Sequence, residues 1–343
     1  MDVTAYFNEI SFPGLVRDII ATQIAYNWGK DVDGLWADAE EFLVFLDDAA
    51  TDQATEKKAR LSRLTASARR RARPNYGPEY HTQENDYVIW TGLNRAARRA
   101  LAAETSRFMM SSRDGELWLP YRRWASGLEP GQDTVVTFNY DTLLDELAKT
   151  APLTIPLPQE DPEEGKVPVL KLHGSVNWLA EGGTFKRQRD VEVLTYPSGL
   201  CPAIASPGRS KSPGGEPPFP HLWQLAEKAI VNAEWVAFIG YRFPPTDALA
   251  RFRITRALSS RSDVVVRRID TVLGPDVDSD ASRRLKTLLE AARGERFVED
   301  REGSFNIGVD TRHLQIYRQP LWAEDFLLNC RDLIRAQFWP RPV

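Results

Sequence analysis

The chain has 343 residues, which is long enough for more than one domain. Of these residues, 42% are hydrophobic and 27% are charged, a composition typical of globular proteins. Its formal net charge of −4 argues against a globally basic nucleic-acid binder. Two cysteines, Cys201 and Cys330, cannot form a four-thiolate zinc site, and the N-terminal sequence has no signal-peptide pattern. No apolar run approaches the ~18 residues that would span a bilayer. We therefore expect a cytoplasmic protein with reduced thiols and no membrane contact.

Residues 1–128 are predicted to form a mainly helical N-terminal part, packed on or inserted in the core. Apolar residues recur at spacings of three and four in Leu15–Trp28 and Leu35–Ala49, and Tyr87–Glu104 has a further helical pattern. The basic segment Lys57–Arg73 is interpreted as a solvated helix face or a contact with an acidic partner. Nucleic-acid binding through this segment is the alternative, suggested only by its charge.

Residues 129–343 alternate between short β-branched runs and amphipathic segments. The predicted strands are Thr134–Phe138, Leu153–Pro156, Val167–Leu172, Trp235–Ile239 and Val264–Ile269. The predicted helices are Thr142–Thr150, Phe219–Asn232, Thr246–Ser259, Ala281–Arg293 and Ala323–Gln337, and Ser206–Pro218 is predicted to be a loop. Strands that alternate with helices predict a Rossmann-like α/β core, with a mostly parallel sheet and helices on both faces.

Three polar clusters follow three of these predicted strands. They are Asn139-Tyr140-Asp141, then His173-Gly174-Ser175, then Gly240-Tyr241-Arg242 with Asp247 a few residues further on. Ligands of open α/β sheets bind at the carboxyl ends of the strands, so all three clusters are expected at one edge of one sheet. Together they indicate a binding cleft.

Each cluster also has a purely structural interpretation, which the sequence leaves open. Asp141 or Thr142 fits a helix N-cap, and so does Asp247. Gly240 fits a tight turn, and a lone histidine such as His173 is commonly a structural residue. The capping interpretation does not account for Asn139.

The motifs FNYDTLLDE, KLHGSVNWL and GYRFPPTD, in this order and spacing, resemble the sirtuin-like family. The similarity runs over Asp133 to Asp276 and is greatest to the bacterial NAD-consuming effectors of anti-phage defence. The resemblance implies that Asn139 holds the nicotinamide ribose and a water, and that Asp141 braces this loop. It implies that His173 is the general base and that Gly240 lets the backbone approach the adenosine half of NAD.

The chemistry implied is NAD+ hydrolysis, with NAD as substrate and no metal. Nicotinamide leaves from an anomeric carbon through an oxocarbenium-like centre, as in glycoside cleavage. The reaction requires a ribose held in position and one base. An amide such as Asn139 can donate to one oxygen and accept from another, and a histidine titrates in the useful pH range. Gly174, Ser175, Tyr241, Arg242 and Asp247 are further cofactor-binding candidates.

As a member of this branch, the chain would be a regulated effector of abortive infection, acting as a homo-oligomer or with a partner protein of the same defence system. The alternative is an inactive module that binds NAD or ADP-ribose within a protein assembly. The lack of a zinc module argues against protein deacylation.

The sequence departs from the family pattern at three points. The family's first strand and GAGxS-type glycine loop are not found, so either the start is truncated or the phosphate site is built differently. Arg242 stands where the family often has a small hydroxyl residue. Asp270 replaces an Asn-Pro pair, and as a strand-end acid it would suit a ribose diol.

Overall fold

The fold is taken from a computed structural model. It describes Leu43, Asp47 and residues 83–112, 115–181, 183–189, 192–193, 202–205, 218–243, 247–259, 268–276, 279–293, 298–299, 304–306 and 315–338. The predicted helices Leu15–Trp28 and Lys57–Arg73, and almost all of Leu35–Ala49, lie outside the described residues. The chain consists of two compact units. The first comprises residues 1–110 and 175–210, and the second comprises residues 111–174 and 211–343.

The described helices and strands alternate along the chain. The helices are α1 (Gln83–Ser112), α2 (Leu119–Ser126), α3 (Leu143–Leu147), α4 (Pro220–Asn232), α5 (Ala248–Ser259), α6 (Asp280–Arg293) and α7 (Ala323–Phe338). The strands are β1 (Val135–Thr137), β2 (Leu153–Thr154), β3 (Val167–Lys171), β4 (Gly174–Glu181), β5 (Thr184–Arg187), β6 (Pro202–Ile204), β7 (Trp235–Ile239), β8 (Arg268–Val272), β9 (Val298–Glu299), β10 (Ser304–Asn306) and β11 (Gln315–Arg318).

The first unit contains most of α1 and a three-stranded sheet in the order β5-β4-β6. β4 and β5 pair antiparallel, with Trp178 opposite Arg187. Buried Arg98 of α1 donates through Nε to the carbonyl of Ile204 at 3.0 Å and through Nη2 to both carboxylate oxygens of Asp47. A guanidinium can be buried at this position because its donors meet acceptors.

The second unit contains two sheets, both with parallel strands. The smaller sheet has the order β1-β3-β2, and both pairings are parallel. β3 is buried along nearly its whole length, as expected for the central strand of a parallel sheet. The larger sheet has the order β7-β8-β11-β10-β9. β7, β8 and β11 pair in parallel, and β10 pairs antiparallel with both β11 and β9.

Two apolar clusters cover opposite sides of β7. Val236 and Phe238 pack with Ile254 of α5 and Leu285 of α6. The alternate residues Trp235, Ala237 and Ile239 pack instead with Phe326 and Cys330 of α7 and with Trp124 of α2. This alternation follows from the two-residue repeat of a strand, and helices pack against both faces of β7.

The prediction of an α/β fold with parallel strands covered by helices is confirmed at this level. β7 has the predicted bounds, Trp235–Ile239, and α4, α5, α6 and α7 begin and end within two residues of prediction. Two differences stand out. The described parallel strands form two sheets in place of one, and the units divide near residue 111 in place of 128, with residues 175–210 joining the first unit.

Among the described helices, none is both long enough and apolar enough to cross a lipid bilayer. Thirty-residue α1 has the length, but its sequence contains charged residues throughout.

Candidate functional site

The carboxyl ends of β1, β3 and β7 meet at one place in the second unit. His173 follows β3, and its Nε2 lies 3.1 Å from Oδ2 of Asp247, which follows β7 in sequence and precedes α5. Both residues are buried, with 7% and 3% of their surfaces exposed. The two residues were predicted separately, one as a base and the other as a ligand-binding residue, and the structure joins them as a pair.

Asp247 is an acceptor for three different donors. The Tyr241 hydroxyl donates to Oδ2 at 2.6 Å, and the backbone N–H of Ala250 donates to Oδ1 at 3.3 Å. Burial on its own raises the pKa of Asp247, but hydrogen bonds from His173, Tyr241 and Ala250 outweigh it, and the pKa lies below its usual value. Asp247 is therefore an anion at neutral pH. The contact with Ala250 is also an N-cap of α5, as the structural interpretation predicted.

The ring of Phe138 contacts two aromatic side chains of this cluster. Its ring stacks on Tyr241 with centroids 4.1 Å apart and meets the His173 imidazole edge-on at 5.0 Å. Such arrangements are favourable for aromatic pairs at these separations. Phe138 comes directly after β1, so its ring connects the ends of β1, β3 and β7 around the histidine.

Asn139 is the exposed residue at this edge. Its backbone N–H donates to Oγ1 of Thr137 at 3.1 Å, which turns the chain away from β1. Together with Asp141 and Tyr241 it lines a cavity of about 580 Å³ in the second unit. Asn139 follows Phe138 in sequence, and the Phe138 ring contacts the His173 imidazole.

Asp141 has a structural role in the described geometry. Its Oδ1 accepts from the backbone N–H of Leu143 at 2.9 Å and thereby caps the first turn of α3. Its carbonyl accepts a hydrogen bond from Nζ of Lys171, which also pairs with Asp145 at 2.9 Å. Lys171 has no exposed surface, so this ion pair fixes the loop after β1 against the end of β3. The bracing role predicted for the Asp141 side chain stays a prediction, because the contact with Lys171 is made by the Asp141 carbonyl.

Gly240 and Arg242 lie at the exposed end of β7. Gly240 has a φ of +69°, a conformation that strains any other L-residue, and a Cβ there would meet open space. Phe243 also has positive φ, at 47°, and is buried. The turn thus directs Arg242 outward and Phe243 inward.

Gly174 and Ser175 continue the chain as the first residues of β4 rather than as an open turn. Gly174 has a φ of +81°, and both residues are buried. Ser175 belongs to the first unit.

Asp270 does not end its strand, as was predicted, because β8 continues to Val272. Its Oδ1 accepts from Nη2 of Arg268 at 2.9 Å and from Nε2 of Gln319 at 2.7 Å. Its Oδ2 accepts from Nε of Arg268 at 2.6 Å and from the Trp235 indole. Both oxygens of this fully buried carboxylate are thus occupied by protein donors, which favours a structural role over ribose binding.

The arrangement can move a proton. If the imidazole Nε2 donates its hydrogen to anionic Asp247, the lone pair of Nδ1 is the acceptor, because a neutral imidazole carries one donor and one acceptor. Tyr241 supports the same carboxylate from the other side. Among the described residues, no group of three or more His, Cys, Asp or Glu side chains is arranged to hold a metal ion.

Sequence reasoning missed Phe138 and Lys171. Phe138 was assigned only to the predicted strand Thr134–Phe138 and Lys171 only to the predicted strand Val167–Leu172, and both contact site residues. A signal for Lys171 was present, since a lysine inside an otherwise apolar strand requires an acidic partner when it is buried.

No protein-family model matches the chain, and no curated protein matches it significantly in sequence.

Proposed function

We propose that the chain is an NAD+ glycohydrolase that releases nicotinamide and ADP-ribose. The supporting observation is the buried His173–Asp247 pair at the meeting point of three strand ends. Exposed Asn139 follows Phe138, whose ring contacts His173. This placement suits a dinucleotide at the carboxyl edge of a Rossmann-like sheet. The family resemblance of the three motifs supports the same substrate and a role as a regulated effector of bacterial anti-phage defence.

In the proposed reaction, Asn139 orients the nicotinamide ribose and His173 acts as the base. The bond between the anomeric carbon and the nicotinamide nitrogen breaks, and nicotinamide leaves with the bonding electrons. A water then forms the new bond to the anomeric carbon and loses a proton to Nδ1 of His173. Anionic Asp247 holds the ring and stabilises the imidazolium that results. Tyr241 and Gly240 border the bound nucleotide in this proposal, and Arg242 is available for a phosphate.

The test is nicotinamide release from NAD+ by the purified full-length chain, together with the NAD+ content of cells that express it during phage infection. We expect His173→Gln to reduce release by about 10²–10⁴-fold. The matched control is His221→Gln, because His221 also pairs with an aspartate, Asp161 at 3.0 Å, but on the surface. The control should retain full release. No nicotinamide release in either setting, or equal release by both variants, contradicts the proposal.

A binding module without turnover is the second candidate. The observation that favours it is burial: His173 has 7% of its surface exposed and lies against the ring of Phe138. Calorimetry with NAD+ and ADP-ribose separates the two candidates. Binding that Asn139→Ala weakens, in a protein that releases no nicotinamide, supports the module. Protein deacylation would require turnover that depends on both NAD+ and an acyl-lysine peptide.

A further inference from the structure

Lys171 is a fully buried lysine in a strand that is otherwise apolar. It is the last residue of β3, whose sequence is VPVLK, and it has no exposed surface. Its Nζ donates to the backbone carbonyl of Asp141 and lies 2.9 Å from Oδ2 of Asp145. Lysine is almost never fully buried without a partner, because its ammonium group must leave water. Both partners of Lys171 lie on the stretch of chain that follows β1.

Stability alone is not a sufficient reason for a buried ion pair at this position. Taking two charges out of water is expensive, and replacing such a pair with apolar residues of similar volume is often neutral or stabilising. An apolar residue at position 171 would also continue the pattern of β3. In some proteins, buried polar groups are retained because they specify one conformation. The conformation that Lys171 can specify is that of the segment its side chain contacts.

Lys171 holds the segment that carries Asn139 at both of its ends. Its backbone pairs in register with Thr137, the last residue of β1. Its side chain binds the carbonyl of Asp141. The three residues between these two points, 138–140, belong to no helix or strand. A single residue of β3 therefore fixes where this segment leaves β1 and where it approaches α3.

Two local hydrogen bonds shape the same segment. The backbone N–H of Asn139 donates to Oγ1 of Thr137 at 3.1 Å, and Oδ1 of Asp141 accepts from the N–H of Leu143 at 2.9 Å. Each of these bonds joins residues two apart in sequence, so it sets only the local conformation. The bond from Lys171 to the Asp141 carbonyl joins residues 30 apart. It therefore links the segment to the strand that leads to the candidate site.

We propose that Lys171 is a positioning residue, which holds Asn139 in place relative to His173. His173 follows Lys171 by two residues in the chain. The segment that Lys171 holds also carries Phe138, whose ring contacts the His173 imidazole. The residue proposed to orient the ribose and the proposed base are thus held relative to one another through one buried side chain. This inference rests on the proposed function, because the role of Asn139 comes from it.

The first test is the kinetics of nicotinamide release by Lys171→Met, which keeps the length of the side chain and removes its charge. A displacement of about 1 Å can reduce turnover by about 10²-fold, so we expect kcat to fall by about 10–100-fold and KM to change less. The matched control is Arg98→Met. Arg98 is also a buried cation that binds one carboxylate, that of Asp47, and one backbone carbonyl, that of Ile204. The control should lose stability and keep its rate of release per folded molecule.

Two double variants separate positioning from stability. Lys171→Met/Asp145→Asn removes both charges and so avoids the unpaired carboxylate that Lys171→Met leaves behind. It should recover most of the urea midpoint that the single variant loses, but not the rate of release. In an Asn139→Ala background, Lys171→Met should reduce release by less than about twofold, because the side chain that it positions is already absent. Release that recovers together with stability, or two losses that multiply in full, would overturn the proposal.

A measurement without substrate distinguishes failure of this inference from failure of the proposed function. The backbone amide order parameters of Asn139 and Tyr140 should fall from about 0.85 in the unmodified chain to below about 0.6 in Lys171→Met, and should not change in Arg98→Met. The double variant with Asp145→Asn serves for this measurement if Lys171→Met does not fold. Unchanged order parameters would refute positioning even where release falls. If the unmodified chain releases no nicotinamide, the proposed function fails, and the order parameters alone decide whether Lys171 holds the segment.

Discussion

Two buried carboxylates in the second unit, Asp247 and Asp270, are bonded in different ways. Asp270 accepts from a guanidinium, an indole and an amide, whose protonation does not change near neutral pH. Asp247 accepts from an imidazole, a phenol and a backbone amide. The first set of donors fixes an anion in place. The second set can relay a proton, because a neutral imidazole has one nitrogen that donates and one that accepts.

The difference shows which buried acid has chemistry available to it. A charged group inside a protein is tolerated only with hydrogen-bonding partners, and both residues satisfy this requirement. Burial alone therefore does not separate a structural from a functional carboxylate. The identity of the donors does, and it assigns the Asp270 network to stability and the Asp247 cluster to the candidate site.

The largest effect is expected when the Asp270 network loses its charge. In Asp270→Asn, buried Arg268 keeps its charge without an anionic partner, so the free energy of unfolding should fall by about 3–5 kcal/mol. Urea denaturation at neutral pH measures this change. Nicotinamide release or nucleotide binding per folded molecule should not change.

Glu227→Gln is the matched control for this comparison. Glu227 accepts from Arg253 and Arg256, but its side chain is 19% exposed and lies between helices α4 and α5. Its loss should cost only about 1 kcal/mol, because water can compensate the arginines. If Asp270→Asn is as mild as this control, the network around Asp270 is not a structural requirement.

A smaller and pH-dependent effect is expected at Asp247. Its pKa is depressed in the folded state, so the carboxylate stabilises the protein above the ordinary aspartate pKa of about 3.9, and this contribution is lost as the pH falls through the folded value. Asp247→Asn should therefore lower the free energy of unfolding by about 1–3 kcal/mol at pH 7. The difference from the unmodified protein should shrink below about pH 4.

Denaturant unfolding of both proteins at neutral and acidic pH measures this difference. Asp161→Asn is the control, since Asp161 pairs with His221 on the surface with 84% of its side chain exposed. It should change stability little at either pH. A loss of stability at Asp247 that does not depend on pH would show that the charge of this carboxylate is not what stabilises the cluster.

Local pattern was enough to predict several elements of the fold. β7 is a continuous run of apolar and aromatic residues between Glu234 and Gly240, so both of its ends are marked in the sequence. β4 was missed, because GSVNWLAE begins with a polar turn and becomes a strand by pairing with β5 and β6. Strand formation depends on such partners more than on intrinsic preference.

The candidate site was predictable in position but not in connectivity. The rule that strand ends collect ligands placed Asn139, His173 and Asp247 at a sheet edge. The contact between His173 and Asp247 depends on how β3 and β7 are brought together, which no local spacing encodes. The same limit applies to Lys171 and Asp145, and to the four donors that occupy Asp270.

The smallest effect is expected when Tyr241 loses only its hydroxyl. Tyr241→Phe keeps the stacking on Phe138 and removes one of the donors to Asp247, so the free energy of unfolding should fall by about 0.5–1.5 kcal/mol. The pKa of Asp247 should rise toward its ordinary value, because a hydrogen bond that lowers it is gone. Carboxyl carbon chemical shifts followed through an acid titration measure that pKa directly. Tyr241→Leu, which also removes the stacked ring, should cost more stability. If Tyr241→Phe leaves the pKa of Asp247 unchanged, Tyr241 contributes through its ring alone, and the proton-exchanging part of the cluster is reduced to His173.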